Sequence, residues 1–396
     1  MQMSPPIKRV TLGGFSLAFL LSLAHAMNDA FANILPVFLP TLQARFGLGE
    51  AALAGFVALI SFSSNVLQAP AGALADRWGR RRVAAAGLIA GSVLMSLIPV
   101  VPSLMALVLI LAIGGLGSAI FHPAAAAMAR DVGKRKGLAV GLFGSGGPFG
   151  AAVMPIVALW LLREFGPHTI PWLALLGIAL GLALFWFSPQ QSRPSRATRP
   201  KIFDPKLFFG PVGVLAFVGI LRATAYISFL NAFPLYLVGV HGYATDAPII
   251  GYALAVYQVA ASAGMMIAGA LELRLGRRLL VVGSMLIAFP ALLATLFVTP
   301  GTLAFYVIVF AAGLATNGSI PLLVVSAQDL APNAVASATG MLMGFTWGTA
   351  GVLYIGMGAL QETLGLTVAM TIGFAALIPS AFVASRVVPP RTPSSA

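Results

Sequence analysis

Apolar residues run along this chain in stretches about as long as a membrane is thick, separated by short charged, glycine-rich or proline-rich breaks. A helix needs about 20 mostly apolar residues to cross the hydrocarbon core of a bilayer. The breaks predict an all-α membrane protein with twelve transmembrane helices. The predicted spans are 10–34, 50–73, 83–101, 104–128, 137–160, 169–188, 210–239, 247–272, 278–298, 302–326, 335–360 and 365–388.

The second half of the chain repeats the first. A shift of 198 residues lays Asn33, Pro36, Leu39, Pro123 and Asp131 over Asn231, Pro234, Leu237, Pro321 and Asp329. The basic loop after helix 2 needs a shift of 197, which lays Arg80 and Arg81 over Arg277 and Arg278. We therefore predict two six-helix bundles, 1–190 and 207–388, with a basic linker at 191–206 and a short tail at 389–396. Such duplication is typical of secondary transporters, which hold their substrate between the halves.

Composition and charge agree with a membrane protein. The chain is 59% hydrophobic and 8% charged, with a net charge of +13. Except for Arg45, Arg163 and Arg222, every Lys and Arg lies in alternate connections or at the termini. The positive-inside rule then predicts that both termini are cytoplasmic, and we expect the inner (cytoplasmic) membrane as the location. We interpret the basic face as a contact with anionic lipid rather than with nucleic acid.

Several function classes receive no support from the sequence. The chain has no cysteine, which excludes disulfides and thiol chemistry. We find no metal-ligand cluster, nucleotide loop or convincing nucleophile with a base. The sequence therefore predicts neither an enzyme nor a bound cofactor nor a metal site, and we expect a monomer. The first apolar stretch is too long for a signal peptide and carries Asp29, so we interpret it as a retained helix.

Two charged residues lie deep in predicted helices, where each is expensive to insert. Asp29 lies in helix 1, on a polar stripe with His25, Asn28 and Asn33 that must face the bundle interior. Arg222 lies in helix 7, the repeat partner of helix 1, and Tyr226 is four residues further along the same face. One interpretation is that the two charges only neutralise each other. The other is that Asp29 takes up and releases a proton while Arg222 holds its charge or binds an anionic substrate.

Other polar residues at membrane depth are candidates for the same cavity. His122 precedes Pro123 in helix 4; it is either a packing residue or, with His25, a second proton-coupling group. Each remaining polar residue either contacts substrate or joins neighbouring helices. The substrate-contact candidates beyond Arg222, Tyr226, Asn28 and Asn33 are Asn65, Gln68, Tyr257, Gln258, Asn317 and Trp347.

The loop between helices 2 and 3 carries a motif. The segment Gly72-Ala-Leu-Ala-Asp76-Arg77-Trp-Gly79-Arg80-Arg81-Arg82 resembles the signature loop of the major facilitator superfamily. Glycines permit a tight turn, and Asp76 can accept hydrogen bonds from the N-terminus of a helix in the other half. We predict that Gly72, Asp76, Arg77, Gly79 and Arg80 form a conformational latch. In the second copy Leu273 replaces the aspartate, with Glu272 beside it, which predicts a weaker latch there.

A second resemblance covers most of the chain. The segments His25-x-x-Asn28-Asp29, Ile34-Leu-Pro36-Val-Phe-Leu-Pro40, Phe121-His122-Pro123, Phe233-Pro234-Leu-Tyr-Leu and Gln328-Asp329-Leu, together with Arg222, resemble the fosmidomycin resistance protein family. That resemblance implies a proton-coupled exporter in the inner membrane, moving a small organic or drug-like compound. Fosmidomycin is a phosphonate anion, which an arginine would suit. Ala124 stands where that family often has an acidic residue. Proton-coupled uptake of a small organic anion such as a carboxylate, and a sensor without transport, remain as alternatives.

Overall fold

The polypeptide folds into helices throughout the described region. The computed structural model describes residues 12, 14–68, 71, 75, 78–130, 132, 136–189, 205–331 and 335–388. In the first half the helices are α1 (Gly14–Ala32), α2 (Leu35–Phe46), α3 (Glu50–Ser61), α4 (Arg80–Ser96), α5 (Leu104–Arg130), α6 (Lys136–Phe165) and α7 (Ala174–Phe187). In the second half they are α8 (Pro205–Phe208), α9 (Pro211–Gly239), α10 (Pro248–Leu275), α11 (Arg277–Ala294), α12 (Leu303–Leu330), α13 (Val335–Gly340), α14 (Thr346–Leu364), α15 (Leu366–Ala375) and α16 (Leu377–Val387).

The helices have the lengths that a membrane requires. Among the described residues, ten helical stretches are long and apolar enough to cross a bilayer, and Glu50–Val66 is a shorter apolar helix. The prediction of an all-helical membrane protein is therefore confirmed. The count of twelve spans, the cytoplasmic location of the termini and the domain boundaries stay predictions, and most of the predicted linker and all of the tail lie outside the described residues.

The first span is longer than its sequence pattern predicted. Its helix bends at Asn33 and Ile34 and continues as α2 to Phe46, so that the whole stretch is 33 residues long. Pro36 has no backbone N–H and therefore interrupts the helical ladder without ending the helix. The Asn33 side chain donates to the Asp29 carbonyl at 2.9 Å, and its repeat partner Asn231 makes the same bond to Ile227. Asn33 thus stabilises its own helix near the bend.

Two spans contain a wider helical turn. Phe62–Val66, which follows α3, and Met341–Phe345, between α13 and α14, are both π-helical. Turns of this kind often occur near functional sites. The two turns contact each other across the two halves.

Arginines in the basic connections hold the last turn of each half. Arg81 donates to the Ser188 carbonyl at 3.1 Å, and Arg278 donates to the Val388 carbonyl at 2.7 Å. A cation near a helix C-terminus also interacts favourably with the helix dipole. Because both bonds stay within one half, each half is fastened internally at the end of the bundle that carries the basic connections, which we call the basic end.

Among the described residues, the two halves meet mainly at the opposite end of the bundle. There α3 packs on α14, α6 on α10, and α2 on α9, and a continuous buried core contains Phe38 and Leu53 of the first half and Phe229 and Tyr354 of the second. The Glu362 carboxylate accepts a hydrogen bond from the Ala51 backbone N–H at 3.0 Å. It therefore caps the N-terminus of a helix in the other half.

Gly358 offers a test of this closed end. A Cβ at Gly358 would lie 2.8 Å from the Ala51 Cα and 2.9 Å from the Glu50 carbonyl oxygen, so Gly358→Leu is expected to wedge α14 away from α3. The chain has no cysteine, so Ser61→Cys provides a unique thiol on the packed face of α3. We expect its labelling by a membrane-impermeant maleimide, added from the opposite end, to rise several-fold.

Gly356 provides the matched control, because a Cβ there would meet no atom within 4 Å. Gly356→Leu should leave the labelling rate at the value of the Ser61→Cys parent. Equal labelling in both leucine variants would mean that the α3 and α14 contact does not close this end.

Candidate functional site

The polar residues of helix 1 lie in a cluster with His122. The Asp29 Oδ1 atom is 3.0 Å from His122 Nε2, and its Oδ2 atom is 3.3 Å from His25 Nε2. Residues 25 and 29 are one helical turn apart on α1 and share a face, while α5 supplies His122. The Asp29 side chain is 19% exposed, so the carboxylate is largely removed from solvent. The two imidazoles are its partners within salt-bridge distance.

Backbone carbonyls determine how the two imidazoles are protonated. His25 Nδ1 is 2.7 Å from the Phe143 carbonyl oxygen, and His122 Nδ1 is 3.0 Å from the Ser118 carbonyl oxygen. Because a carbonyl only accepts, both Nδ1 atoms must donate. Each Nε2 atom then has a lone pair facing the carboxylate unless a further proton lies between them. A proton between Nε2 and the carboxylate would make either contact a hydrogen bond, so the geometry is suited to holding a proton.

Neighbouring amide and hydroxyl groups complete the cluster. The Asn28 amide donates to Asp29 Oδ1 at 3.0 Å and to the Ser118 hydroxyl at 3.1 Å. The Ser118 hydroxyl is also 3.3 Å from His122 Nδ1. These bonds hold the carboxylate and one imidazole in place, so Asn28 supports the cluster from a position that also faces the interior.

Arg222 lies in the other half without an acidic partner. Its residue is 2% exposed. Its Nη1 donates to Asn317 Oδ1 at 3.2 Å, and its guanidinium lies 4.7 Å from the centre of the Trp347 ring. Among the described residues no carboxylate lies within salt-bridge distance of it. Asp29 and Arg222 therefore have different partners, rather than forming a pair with each other.

Aromatic residues form a wall beside Arg222. The Tyr226 ring meets the Trp347 ring edge-on at 4.8 Å and lies 5.7 Å from the Tyr257 ring. The Tyr226 hydroxyl donates to Gln258 Oε1 at 2.7 Å, which fixes its orientation. A small cavity of about 10 Å³, the space of about one water molecule, lies beside Arg222. Its lining residues are Gly219, Arg222, Ile320, Leu323, Val324, Leu342, Thr346 and Trp347.

The remaining predicted contacts lie elsewhere. The side-chain amides of Asn65 and Gln68 donate to carbonyls of their own helix, at 3.2 and 3.0 Å, and Asn65 lies against Gly344 and Gly348 of the other half. They belong to the contact between the halves, beside the π turns, and their hydrogen bonds among the described residues do not reach the Arg222 group. Of the predicted latch, Gly72, Asp76 and Arg77 lie outside the described residues. Gly79 has a positive φ of 98°, and Arg80 begins α4.

The second copy of the loop retains a charged cluster. Arg277 donates to Glu272 Oε1 and to Asp329 Oδ2, both at 2.7 Å. The sequence analysis expected a weaker contact because Leu273 replaces the aspartate. The glutamate one position earlier reaches the arginine instead, so α10, α11 and α12 are joined at the basic end.

The histidine and aspartate cluster also has the composition of a metal site. His25, Asp29 and His122 offer ligand atoms within 4.8 Å of one another. The sequence analysis predicted no metal site, because His122 is far from the other two along the chain. It also missed Ser118 and the Phe143 carbonyl. The helical spacing of Ser118 and His122 would have suggested that they share a face, while nothing in the sequence identifies a backbone acceptor.

Comparison with known proteins gives a consistent result. The family model of the Major Facilitator Superfamily matches residues 21–355. The chain is 24% identical over 386 residues to an uncharacterised transporter of the same type from Bacillus subtilis, covering 93% of each chain. It is 25% identical over 349 residues to the fosmidomycin resistance protein of Escherichia coli, covering 85% of this chain and 84% of that protein. A crystal structure of a D-xylose-proton symporter has a TM-score of 0.73 at 17% identity, covering 95% of this chain and 98% of the other.

Proposed function

Because the chain belongs to the Major Facilitator Superfamily, whose members are multi-pass membrane transporters and not enzymes, we propose that it exports a small organic anion in exchange for protons. In this proposal the halves rock about a central site, the protein lies in the inner membrane with both termini in the cytoplasm, and it works as a monomer. The substrate and protons are its partners, with lipid around it.

The observation that carries the proposal is the buried Arg222. A buried cation is costly unless an opposite charge or several hydrogen bonds compensate it, and here an amide oxygen and an indole face are its contacts. A carboxylate or phosphonate of the substrate supplies the absent charge, and a guanidinium binds either group through two parallel hydrogen bonds. Once the halves separate, the apolar part of such an anion packs on Trp347 and on the aliphatic side chains beside Arg222.

The proton site is separate from the anion site but lies across the same interface. In this proposal Asp29, His25 and His122 bind the coupling proton, and their geometry supports that role. Exchange follows if loading protons on this cluster and binding an anion at Arg222 favour opposite conformations of the halves. The contacts between halves at the opposite end leave the basic end as the side on which they separate.

We propose export rather than uptake because of the relatives of the chain. The fosmidomycin resistance protein is named for resistance, which export of the compound would produce. Uptake of the same anion would use the same arginine and the same proton cluster, so the direction is decided by experiment.

The first experiment uses fosmidomycin and an efflux-deficient bacterial host. Expression of the protein is expected to raise the inhibitory concentration of fosmidomycin several-fold over the empty vector. An Asp246→Asn variant, altered in a connecting loop, should protect as well as the parent. In proteoliposomes, an imposed pH gradient should drive the compound against its concentration gradient.

Each outcome has a clear meaning. Greater sensitivity on expression would indicate uptake of the same anion. Unchanged susceptibility with good membrane expression would exclude fosmidomycin as a substrate. Transport of a panel of small carboxylates and phosphonates is then measured in both directions. Absence of flux for every anion at every pH would contradict the proposed function and favour a sensor.

A further inference from the structure

Three glycines of α6 lie directly against α1. A Cβ at Gly146 would overlap the Ser22 carbonyl oxygen, and one at Gly150 would overlap the Ala26 carbonyl oxygen. At these two positions the neighbour is backbone, so the glycines serve the close approach of the two helices. Gly147 is different, because a Cβ there would overlap Asp29 Oδ2 and would lie 2.7 Å from His25 Nε2.

The two side chains that face Gly147 have little freedom to move aside. The His25 ring is held by the bond from Nδ1 to the Phe143 carbonyl and stacks on the Phe143 ring at 4.3 Å. Asp29 is held by Asn28 and by His122. An added methyl group would therefore enter the space where the carboxylate and the His25 imidazole meet.

We propose that Gly147 is a positioning residue of the proton site: the bare backbone of α6 at this point leaves the space in which the Asp29 carboxylate and the His25 imidazole meet. The inference rests on the proposed function and deepens it. The titratable groups that face this point are Asp29 and His25 from α1 and His122 from α5. Tyr226 of the other half lies within electrostatic reach of the carboxylate, and the described titratable residues of α6, Arg163 and Glu164, lie at its far end.

The position of Gly147 also connects the proton site to the interface between the halves. Further along α6, the Pro155 carbonyl oxygen would lie 3.0 Å from a Cβ at Gly251 of α10. The same helix therefore forms one wall of the proton site and packs closely on the other half. A movement of α6 along α1 changes the space available to Asp29 and His25.

The test is Gly147→Ala. Separating the carboxylate from His25 removes an attraction that favours the bound proton, so proton binding weakens. We expect the alkaline limit of proton-coupled flux to move to lower pH by about one unit, a roughly tenfold weaker proton affinity. Flux driven by substrate exchange without net proton movement should keep its rate. In the purified protein, isotope-labelled histidine spectra, simplified by the presence of only four histidines, should show a changed environment for the His25 ring.

Gly144→Ala is the matched control, since a Cβ there would meet no atom within 4 Å. It should preserve the parent pH profile. If the methyl group acts through His25, adding Gly147→Ala to a His25→Ala background should change the profile no further. A parent-like profile in Gly147→Ala alone would overturn the positioning role while leaving proton coupling intact. A parent protein with no pH dependence at all would instead contradict the proposed function.

A folding defect would not prevent the test. If Gly147→Ala fails to reach the membrane, combining it with both His25→Ala and Asp29→Ala frees the space that the methyl group needs. Recovery of membrane-inserted protein in this triple variant supports the contact. Failure to recover, with the His25→Ala and Asp29→Ala double variant well expressed, overturns it.

Discussion

Replacing Asp29 with asparagine is expected to reduce proton-driven transport to the level of vesicles without protein. An amide does not take up or release a proton in this pH range, and the two imidazoles lose the carboxylate that stabilises their charged forms. The fold should persist, because the asparagine amide can still donate to His122 Nε2. The measurement is uptake of the identified anion into proteoliposomes with and without a pH gradient, together with its exchange at equal pH.

Exchange of the anion at equal pH distinguishes a variant that has lost proton coupling from one that is misfolded or absent from the membrane. We expect Asp29→Asn to retain exchange while the gradient-driven component disappears, since Arg222 and its pocket are unchanged. Asp246→Asn makes the same chemical change in a connecting loop and should match the parent in both assays. Gradient-driven transport that survives in Asp29→Asn would show that the proton is carried elsewhere.

Replacing Arg222 is expected to weaken anion binding at every pH. Hydrogen bonds to charged groups contribute about 1.5 to 3 kcal/mol, so Arg222→Met should raise the dissociation constant by roughly 10- to 100-fold. Arg222→Lys retains the charge but not the planar pair of donors. Its dissociation constant should therefore lie between those of the parent and of Arg222→Met. Binding can be measured from the thermal stabilisation that fosmidomycin or a short carboxylate gives to the purified protein.

The stability of the unliganded protein distinguishes a binding role from a structural one. Because Arg222 has no acidic partner among the described residues, Arg222→Met relieves a desolvation cost and should leave the melting temperature equal or higher. Arg163→Ala, which removes a side chain that is 55% exposed, should change neither binding nor stability. A large loss of stability in Arg222→Met with unaltered anion binding would identify the arginine as structural.

The membrane architecture was predictable because the bilayer imposes one strong requirement on every span. Apolar length and alternating basic connections locate the helices, whereas the bend near Pro36 and the wide turns leave no comparable signal. The stripe on helix 1 was also predictable, since helical spacing places Asp29 and His25 on one face. Its meeting with His122 was not, because that contact depends on how α5 packs against α1.

The second basic loop illustrates a different limit. Comparison of the two copies position by position pairs Asp76 with Leu273 and suggests that a carboxylate has been lost. In the structure Glu272, one residue earlier, contacts Arg277 of its own half at 2.7 Å, whereas Asp76 lies outside the described residues and the weaker second latch stays a prediction. A pattern of residue types does not say how far a side chain extends in the folded protein. The contact between Glu272 and Arg277 was therefore not predictable from the sequence.

The π turn at Phe62–Val66 has a consequence for the lengths of the two copies. Helices α3 and α10 begin at equivalent points, Glu50 and Pro248, but the next helices begin at Arg80 and Arg277, one residue closer together in the second copy. A π turn is how an α-helix accommodates one additional residue. In an unbroken α-helix an extra residue would turn every following side chain by about 100°, whereas a widened turn lets the face beyond it keep its direction. The first copy has such a turn in the interval where it is one residue longer, and α10 has none, so the length of a span and the direction of its faces can vary independently.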